Sequence, residues 1–363
     1  MHKLTAIVLA LVLTACAAEP ELIGVDNPEI PVANVAEATK RTVFIASTRE
    51  RSDQEGALFS TNRSETVALA SVTVSIPPTH EIGKIERPKR LPPDPRKEFA
   101  IVDPVVFGND QAFVRSINSE LSKLPPGERD ILFFVHGYNN TTSDAALRLA
   151  QFVQDSGYDG VPVLFDWASA AQLKKYVFDL NSVLIARESM RGLGALLGQT
   201  KADGYDIFGH SMGTLLTMEA MRDASLRGVL NQSGRLKNIV LASPDIDLDL
   251  FRAQLKEINS ELDIFVLLSR DDRALRVSRV IAGGVPRVGA GNAEELAQLG
   301  VVVVDLSEIE DSSSGTHSKF AGSPEIVKIL GTGLNRHSRF DDALASTRLD
   351  EILLTGLPIA VLF

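Results

Sequence analysis

The chain has a single cysteine, Cys16, among 363 residues, so no internal disulfide framework can hold it together. Its six histidines are scattered without the spacing of a zinc site, and neither a metal nor an organic cofactor is expected. Long runs of positive charge are missing as well: the nearest is the proline-broken pair Lys89-Arg90 and Arg96-Lys97, within a net charge of −10. Phosphate binding needs a basic face, which argues against nucleic acid as a partner. No apolar stretch is long enough to cross a bilayer, and there is neither an internal repeat nor a low-complexity tract. What remains, 44% hydrophobic and 23% charged residues, is the composition of a globular body large enough to bury a substantial core.

The N-terminus reads as an address. Met1 to Lys3 is short and weakly basic, Leu4 to Thr14 is uncharged and apolar, and Leu13-Thr14-Ala15-Cys16 resembles a bacterial lipobox. Residues 1–15 are therefore expected to be a signal peptide and Cys16 the lipidated residue. The protein is expected in a bacterial cell envelope, anchored to a membrane and facing the periplasm or exterior. Residues 16–40, with Pro20, Pro28, Pro31 and five acidic residues, read as a flexible tether of up to about 80 Å.

Residues 41–97 carry short strand-like runs, Val43–Ala46, Val67–Leu69 and Val72–Ile76, and close in a proline-dense stretch to Pro95 that cannot be helical. They read as an N-terminal β extension packed on the main domain, 98–348. There the pattern alternates. Strand candidates stand at Ile131–Val135, Val161–Phe165, Tyr205–Phe208, Ile239–Leu241, Ile264–Leu268 and Val301–Asp305. Helical candidates lie between and after them at about 144–155, 182–197, 212–224, 250–258, 293–299 and 324–330. Continuous apolar strands linked by helices predict an α/β fold with a mostly parallel, doubly wound sheet. Residues 167–203 exceed one crossover and leave open a lid or a plain long helix. The apolar tail 349–363 suggests an added strand.

Three motifs carry chemistry. Gly209-His210-Ser211-Met212-Gly213 follows the apolar Tyr205–Phe208 and precedes a helical run: strand, sharp turn, helix, the setting of a nucleophile elbow with Ser211 as nucleophile. Phe133-Phe134-Val135-His136-Gly137-Tyr138 ends an apolar strand in a turn that can supply the Tyr138 N–H to an oxyanion, paired with the Met212 N–H. His136 and Gly137, like Gly209, His210 and Gly213, read as loop and elbow support. His317 follows the last strand; of the histidines it alone suits a base, since His2 goes with the signal, His80 lies in the proline-rich stretch, His337 sits by Arg336 and Arg339, and His210 is inside the elbow. For the acid, Asp271, Asp272, Asp245 and Asp247 all lie just beyond strands. The order serine, aspartate, histidine favours the later pair, while an isolated Asp-x-Asp such as Asp245 and Asp247 is usually a turn or a cap.

An HGYN turn at His136–Asn139, the GHSMG elbow, an SxxDxAL segment at Ser269–Leu275, a GxH at Gly315–His317, and Ser75-Ile76-Pro77 with Gly83-Lys84-Ile85-Glu86 together make the chain similar to a bacterial α/β-hydrolase family of unknown function. The likeness spans about Arg41 to Arg348 and departs at Ala168, where proline is expected after Trp167. It implies the α/β-hydrolase fold and matches Asp272 to the aspartate of SxxDxAL, leaving Asp271 to pair with Arg270 or Arg273. The resulting expectation is a serine hydrolase acting on a small ester or acyl substrate through an acyl-enzyme. An inactive envelope binding or scaffold protein, or a thioesterase or acyltransferase on the same residues, stays open.

Overall fold

The computed structural model describes residues 20–258, 262–309, 316–335 and 359–362. Cys16, the signal segment, Gly315 and His337 lie outside them.

Ten strands form one sheet: β1 (Thr39–Arg51), β2 (Phe59–Ile76), β3 (Ala100–Val106), β4 (Asp130–Val135), β5 (Val161–Asp166), β6 (Gly204–His210), β7 (Leu236–Ala242), β8 (Ile264–Leu268), β9 (Val302–Asp305) and β10 (Ala360–Leu362). Their order is β10-β9-β8-β7-β6-β4-β5-β1-β2-β3. Strands β4 to β9 pair in parallel, and their Val, Ile, Leu and Phe side chains are buried on both faces, as the continuous apolar runs require. All six expected core strands occur, to within a few residues.

The chain goes from β4 to β5 on one side and then returns to place β6 on the other side of β4. The order reverses there, and an open parallel sheet forms its crevice at the carboxyl ends of such strands. Val135 at the end of β4 sits beside Gly209 near the end of β6, so the Tyr138 turn and the Ser211 turn face each other across it.

The N-terminal region differs from expectation in three ways. The short runs are parts of a long antiparallel hairpin, β1 with β2, and β1 also runs parallel to β5, so the extension is continuous with the main sheet. Strand β3, beyond the expected boundary at 97, belongs to it too. From Pro20 on, the segment expected as a free tether lies against the domain. The Leu22 N–H donates to Ser143 Oγ at 3.2 Å, the Ile23 N–H to Gly56 O at 2.7 Å and the Gly24 N–H to Ile101 O at 2.7 Å, with Leu22, Ile23 and Val32 buried. Three apolar side chains among many polar ones gave no periodic signal, yet backbone hydrogen bonds suffice to dock them.

Residues 167–203 contain one long helix, Tyr176–Leu197, whose Val183, Ala186, Met190 and Leu193 face the core. Helices Asp110–Leu121 and Arg273–Ile281 were not foreseen; polar residues dilute their apolar positions. Ala360–Leu362 adds an antiparallel edge strand on β9.

Candidate active site

Ser211 occupies the turn between β6 and the helix Met212–Leu226 with φ 53° and ψ −125°, a backbone conformation that costs a non-glycine residue about 1–3 kcal/mol. The surroundings impose it. Ser211 N–H donates to Ala242 O at 2.9 Å, and the Ser211 carbonyl accepts from Thr214 N (3.0 Å), Thr214 Oγ1 (2.6 Å) and Asp245 N (3.3 Å). Close approach does the rest. A Cβ on Gly213 would stand 2.4 Å from both the Val135 and His136 carbonyls, and one on Gly137 would stand 2.8 Å from Ser211 Cβ. The two turns therefore touch through glycines, which explains their places in the two motifs.

Met212 opens its helix, where a backbone N–H has no acceptor within the helix. The facing turn is held from behind. Its carbonyls point inward: Gly137 O accepts from His136 Nδ1 (2.8 Å) and Asn140 Nδ2 (3.1 Å), Tyr138 O from Asn140 Nδ2 (2.8 Å), and Asn140 O from Arg49 Nη2 (2.9 Å). Asn139 takes the left-handed conformation that the tight turn needs.

His136 is packed into the loop that follows β5. Its ring stacks on Trp167, with centroids 5.0 Å apart, and Trp167 Nε1 donates to His136 O at 2.7 Å. Ala168, the departure from the family pattern, is buried in that loop.

His317 Nδ1 lies 2.6 Å from Asp272 Oδ2. Asp272 is fully buried and caps the helix Arg273–Ile281 through Leu275 N at 3.1 Å. Of the four candidate aspartates it is the one joined to His317. Asp271 binds neither Arg270 nor Arg273 by its side chain: its carboxylate meets the buried Lys319 at 2.8 Å, and Arg270 pairs with Asp305 at 3.1 Å. The strand end places Lys319, anchored on Leu306 O, nearer than the surface arginines. Asp247 caps the helix Leu248–Glu257. Asp245 binds Tyr176 Oη (2.9 Å), Ser278 Oγ (2.7 Å) and Arg287 (3.2 Å).

His210 sits between the elbow and the His317 loop, with Nε2 3.1 Å from His317 O and ring centroids 4.9 Å apart. Burial, with the His317 ring alongside, pushes its imidazole pKa well below the ordinary value.

Sequence reasoning missed a buried ion pair behind the Tyr138 turn. Arg49 Nε meets Asp166 Oδ1 at 2.8 Å, and Asp166 also accepts from Ser47 Oγ (2.7 Å) and Thr142 Oγ1 (2.8 Å), with His136 Nε2 at 3.4 Å. Burial raises the Asp166 carboxyl, but Arg49 and His136 outweigh it and hold it well below the usual carboxylate range. Arg49 further donates to Ser169 O at 2.7 Å. In the sequence each is only a charged residue near the end of a strand, with nothing that pairs it to the other. Tyr176, whose ring meets Tyr138 edge-on at 5.4 Å, belongs to no motif that the sequence offers.

Among the described residues no group of three or more histidine, cysteine, aspartate or glutamate side chains could hold a metal ion.

No curated protein matches the chain. Solved structures similar to it include a predicted CIB-like hydrolase from Thermoplasma acidophilum, at 17% identity and a TM-score of 0.35 over 58% of this chain and 89% of that one. An esterase from Pyrobaculum calidifontis is 12% identical with a TM-score of 0.40 over 84% and 88% of the two chains. One of two fungal esterases from Rhizomucor miehei is 12% identical with a TM-score of 0.37 over 86% and 87%. Likenesses this distant carry no argument about activity. The profile of the family described as "Alpha/beta hydrolase of unknown function (DUF900)" matches residues 109–333, more than half of the chain, and the protein belongs to that family.

Proposed function

We propose that the protein is a carboxylic ester hydrolase working through an acyl-enzyme. Ser211 attacks the ester carbonyl, His317 takes the serine proton and later passes it to the leaving alcohol, and Asp272 fixes the imidazole tautomer and stabilises its positive charge. Backbone N–H groups of Tyr138 and Met212 receive the developing oxyanion. Water then repeats the sequence on the acyl-enzyme and releases the acid. The observation that carries the reading is the pairing of His317 Nδ1 with the fully buried Asp272, on the loops beside a strained serine. An inactive scaffold has no use for that strain.

A panel of p-nitrophenyl acyl esters of rising chain length tests it. Turnover is expected, falling by about 10⁴-fold or more in Ser211→Ala, by analogy with other triads. Equal turnover by the variant would remove Ser211 from the chemistry; aminolysis or thioester cleavage in place of ester turnover would move the reading to another acyl-transfer reaction. The protein is further proposed to be held in the bacterial envelope by a lipid on Cys16. Metabolic labelling with a fatty-acid probe should mark the protein and not Cys16→Ser.

A further inference from the structure

The carboxyl edge of the sheet, which carries Ser211, is also where the N-terminal segment leaves the domain. Pro20 O accepts from Arg87, Glu21 bonds Ser143 Oγ and the Leu22 N–H bonds the same hydroxyl, all at the start of the helix that follows the Tyr138 turn. Ile23 is tied to Gly56, in the tip of the β1–β2 hairpin, and β1 runs parallel to β5, so that tip lies at the same edge. Only Ala17, Ala18 and Glu19 separate Cys16 from Pro20. Their covalent reach is about 14 Å, at roughly 3.6 Å per residue, where a free tether from 16 to 40 would allow several times that.

The hairpin tip exposes Glu50, Asp53 and Glu55, but two other flanks of that edge suit a bilayer. Helix Arg273–Ile281, capped by Asp272, exposes Val277 at 60% and Val280 at 78%, with Ile281 and the arginines 273, 276 and 279 also exposed. From Arg273 to Asn292 there is no acidic residue, and the exposed cations are Arg273, Arg276 and Arg279; Arg287 is buried against Asp245. A short helix mixing exposed valines with arginines is the composition of an interfacial helix. Beside the Tyr138 turn, whose Tyr138 Oη donates to Gln172 O at 3.1 Å, the next turn exposes Leu173 at 74%, Lys174 and Lys175, and Val177 follows at 64%. Apolar side chains interleaved with cations thus stand on both flanks of the site.

We infer that this edge is a docking face for an anionic bilayer, so that Ser211 opens toward the membrane and the substrate is an acyl ester resident there. The orientation rests on the reading of Cys16 as the lipid site, and the substrate class on the hydrolase reading; the docking face stands apart from both. Vesicle binding isolates it. Cys16→Ser, Ser211→Ala protein, unable to be anchored or to turn over, is expected to sediment at least tenfold more with phosphatidylglycerol vesicles than with phosphatidylcholine vesicles, and less at high salt. Val277→Glu with Val280→Glu should lower that binding at least tenfold, as should Leu173→Glu with Val177→Glu. Leu226→Glu should leave it unchanged, because the exposed Leu226 closes the 15-residue helix Met212–Leu226, which starts just after Ser211 and ends about 22 Å away. Equal binding to the two lipids, or equal loss in the Leu226 variant, would overturn the docking face. In protein with Ser211 intact, Val277→Glu with Val280→Glu should slow hydrolysis of a long-chain ester embedded in vesicles at least tenfold while sparing a soluble short-chain ester; equal slowing of both would overturn the membrane-resident substrate.

Discussion

The two edges of the sheet surround their buried aspartates differently. At the carboxyl edge, beside Ser211, buried acids are engaged from several sides: Asp272 holds His317 and a helix N-terminus, and Asp166 holds Arg49, Ser47 and Thr142. At the amino end, Asp206 is fully buried, receives Asn238 Nδ2 at 2.6 Å on one oxygen and leaves the other without a hydrogen bond. Burial pushes its pKa up to about 7, with the neighbouring Asp130 adding to the rise. A cavity of about 200 Å³ lined by Glu128, Asp130, Tyr158, Asp159, Gly160 and Asn335 lies at this amino edge, on the far side of the sheet from the crevice. The buried acids of the carboxyl edge are thus each held by several partners, while at the amino edge Asp130 pairs with Lys237 at 2.7 Å and Asp206, beside it, is bonded on one oxygen. The partners each position supplies, more than residue type, decide what an aspartate does.

The largest effect that can break this contrast is in the acids of the carboxyl end. Asp272→Asn should cut kcat by about 10⁴-fold with the fold retained, because the imidazole loses its orienting partner. Asp271→Asn, whose carboxylate meets Lys319, and Asp247→Asn, a helix cap, should each change kcat severalfold at most. A crippled Asp245→Asn with an active Asp272→Asn would move the acid one strand earlier.

Next comes the brace. Arg49→Lys keeps a cation near Asp166 but cannot reproduce the bonds to both Asn140 O and Ser169 O. It should lower kcat about 10-fold or more, approaching the roughly 10² that losing an oxyanion donor costs, with KM little changed. A change in KM alone would show that the pair shapes binding and not the Tyr138 turn.

The amino end gives a pH signature. With a folded pKa raised to about 7, Asp206 contributes stability fully present below the carboxyl's ordinary value near 4 and lost as pH rises through 7. Asp206→Asn should remove that dependence, so the variant gains on the parent between pH 5 and 8 by as much as a few kcal/mol, at about 1.4 kcal/mol per unit. Urea midpoints that fall in parallel over this range would contradict the assignment.

The smallest effect is expected at His80. Burial opposes its charge, but Asp155 and Glu86, each 2.7 Å from a ring nitrogen, raise its pKa above the ordinary value. Its contribution is complete below about 6.5 and fades as pH rises through the raised value. His80→Gln should therefore lower the thermal midpoint by a few degrees at pH 6 and less at pH 9. Equal losses at the two values would assign His80 to packing alone.

The parallel half of the fold was legible because fully buried strands must be apolar end to end, and both glycine-bearing turns were legible because close approach admits little else. Asp272 could be chosen over Asp271 only by likeness to a family: both follow the same strand, and the choice is made by a helix N-terminus that the arginine-rich sequence conceals. Arg49 and Asp166 were illegible for a different reason. They meet across 117 residues of sequence, and each alone looks like a polar strand end. The docked segment at Pro20–Gly24 was missed because backbone hydrogen bonds leave no trace in side-chain patterning.

Labelling with a fluorophosphonate tests the central claim most directly, because only an activated serine reacts at an appreciable rate. Intact mass should show one adduct, peptide mapping should place it on Ser211, Ser211→Ala should take none, and Asp272→Asn should react much more slowly while Asp271→Asn reacts near the parent rate. An absent adduct, an adduct on another residue, or equal rates in the two aspartate variants would contradict a Ser211, His317 and Asp272 triad.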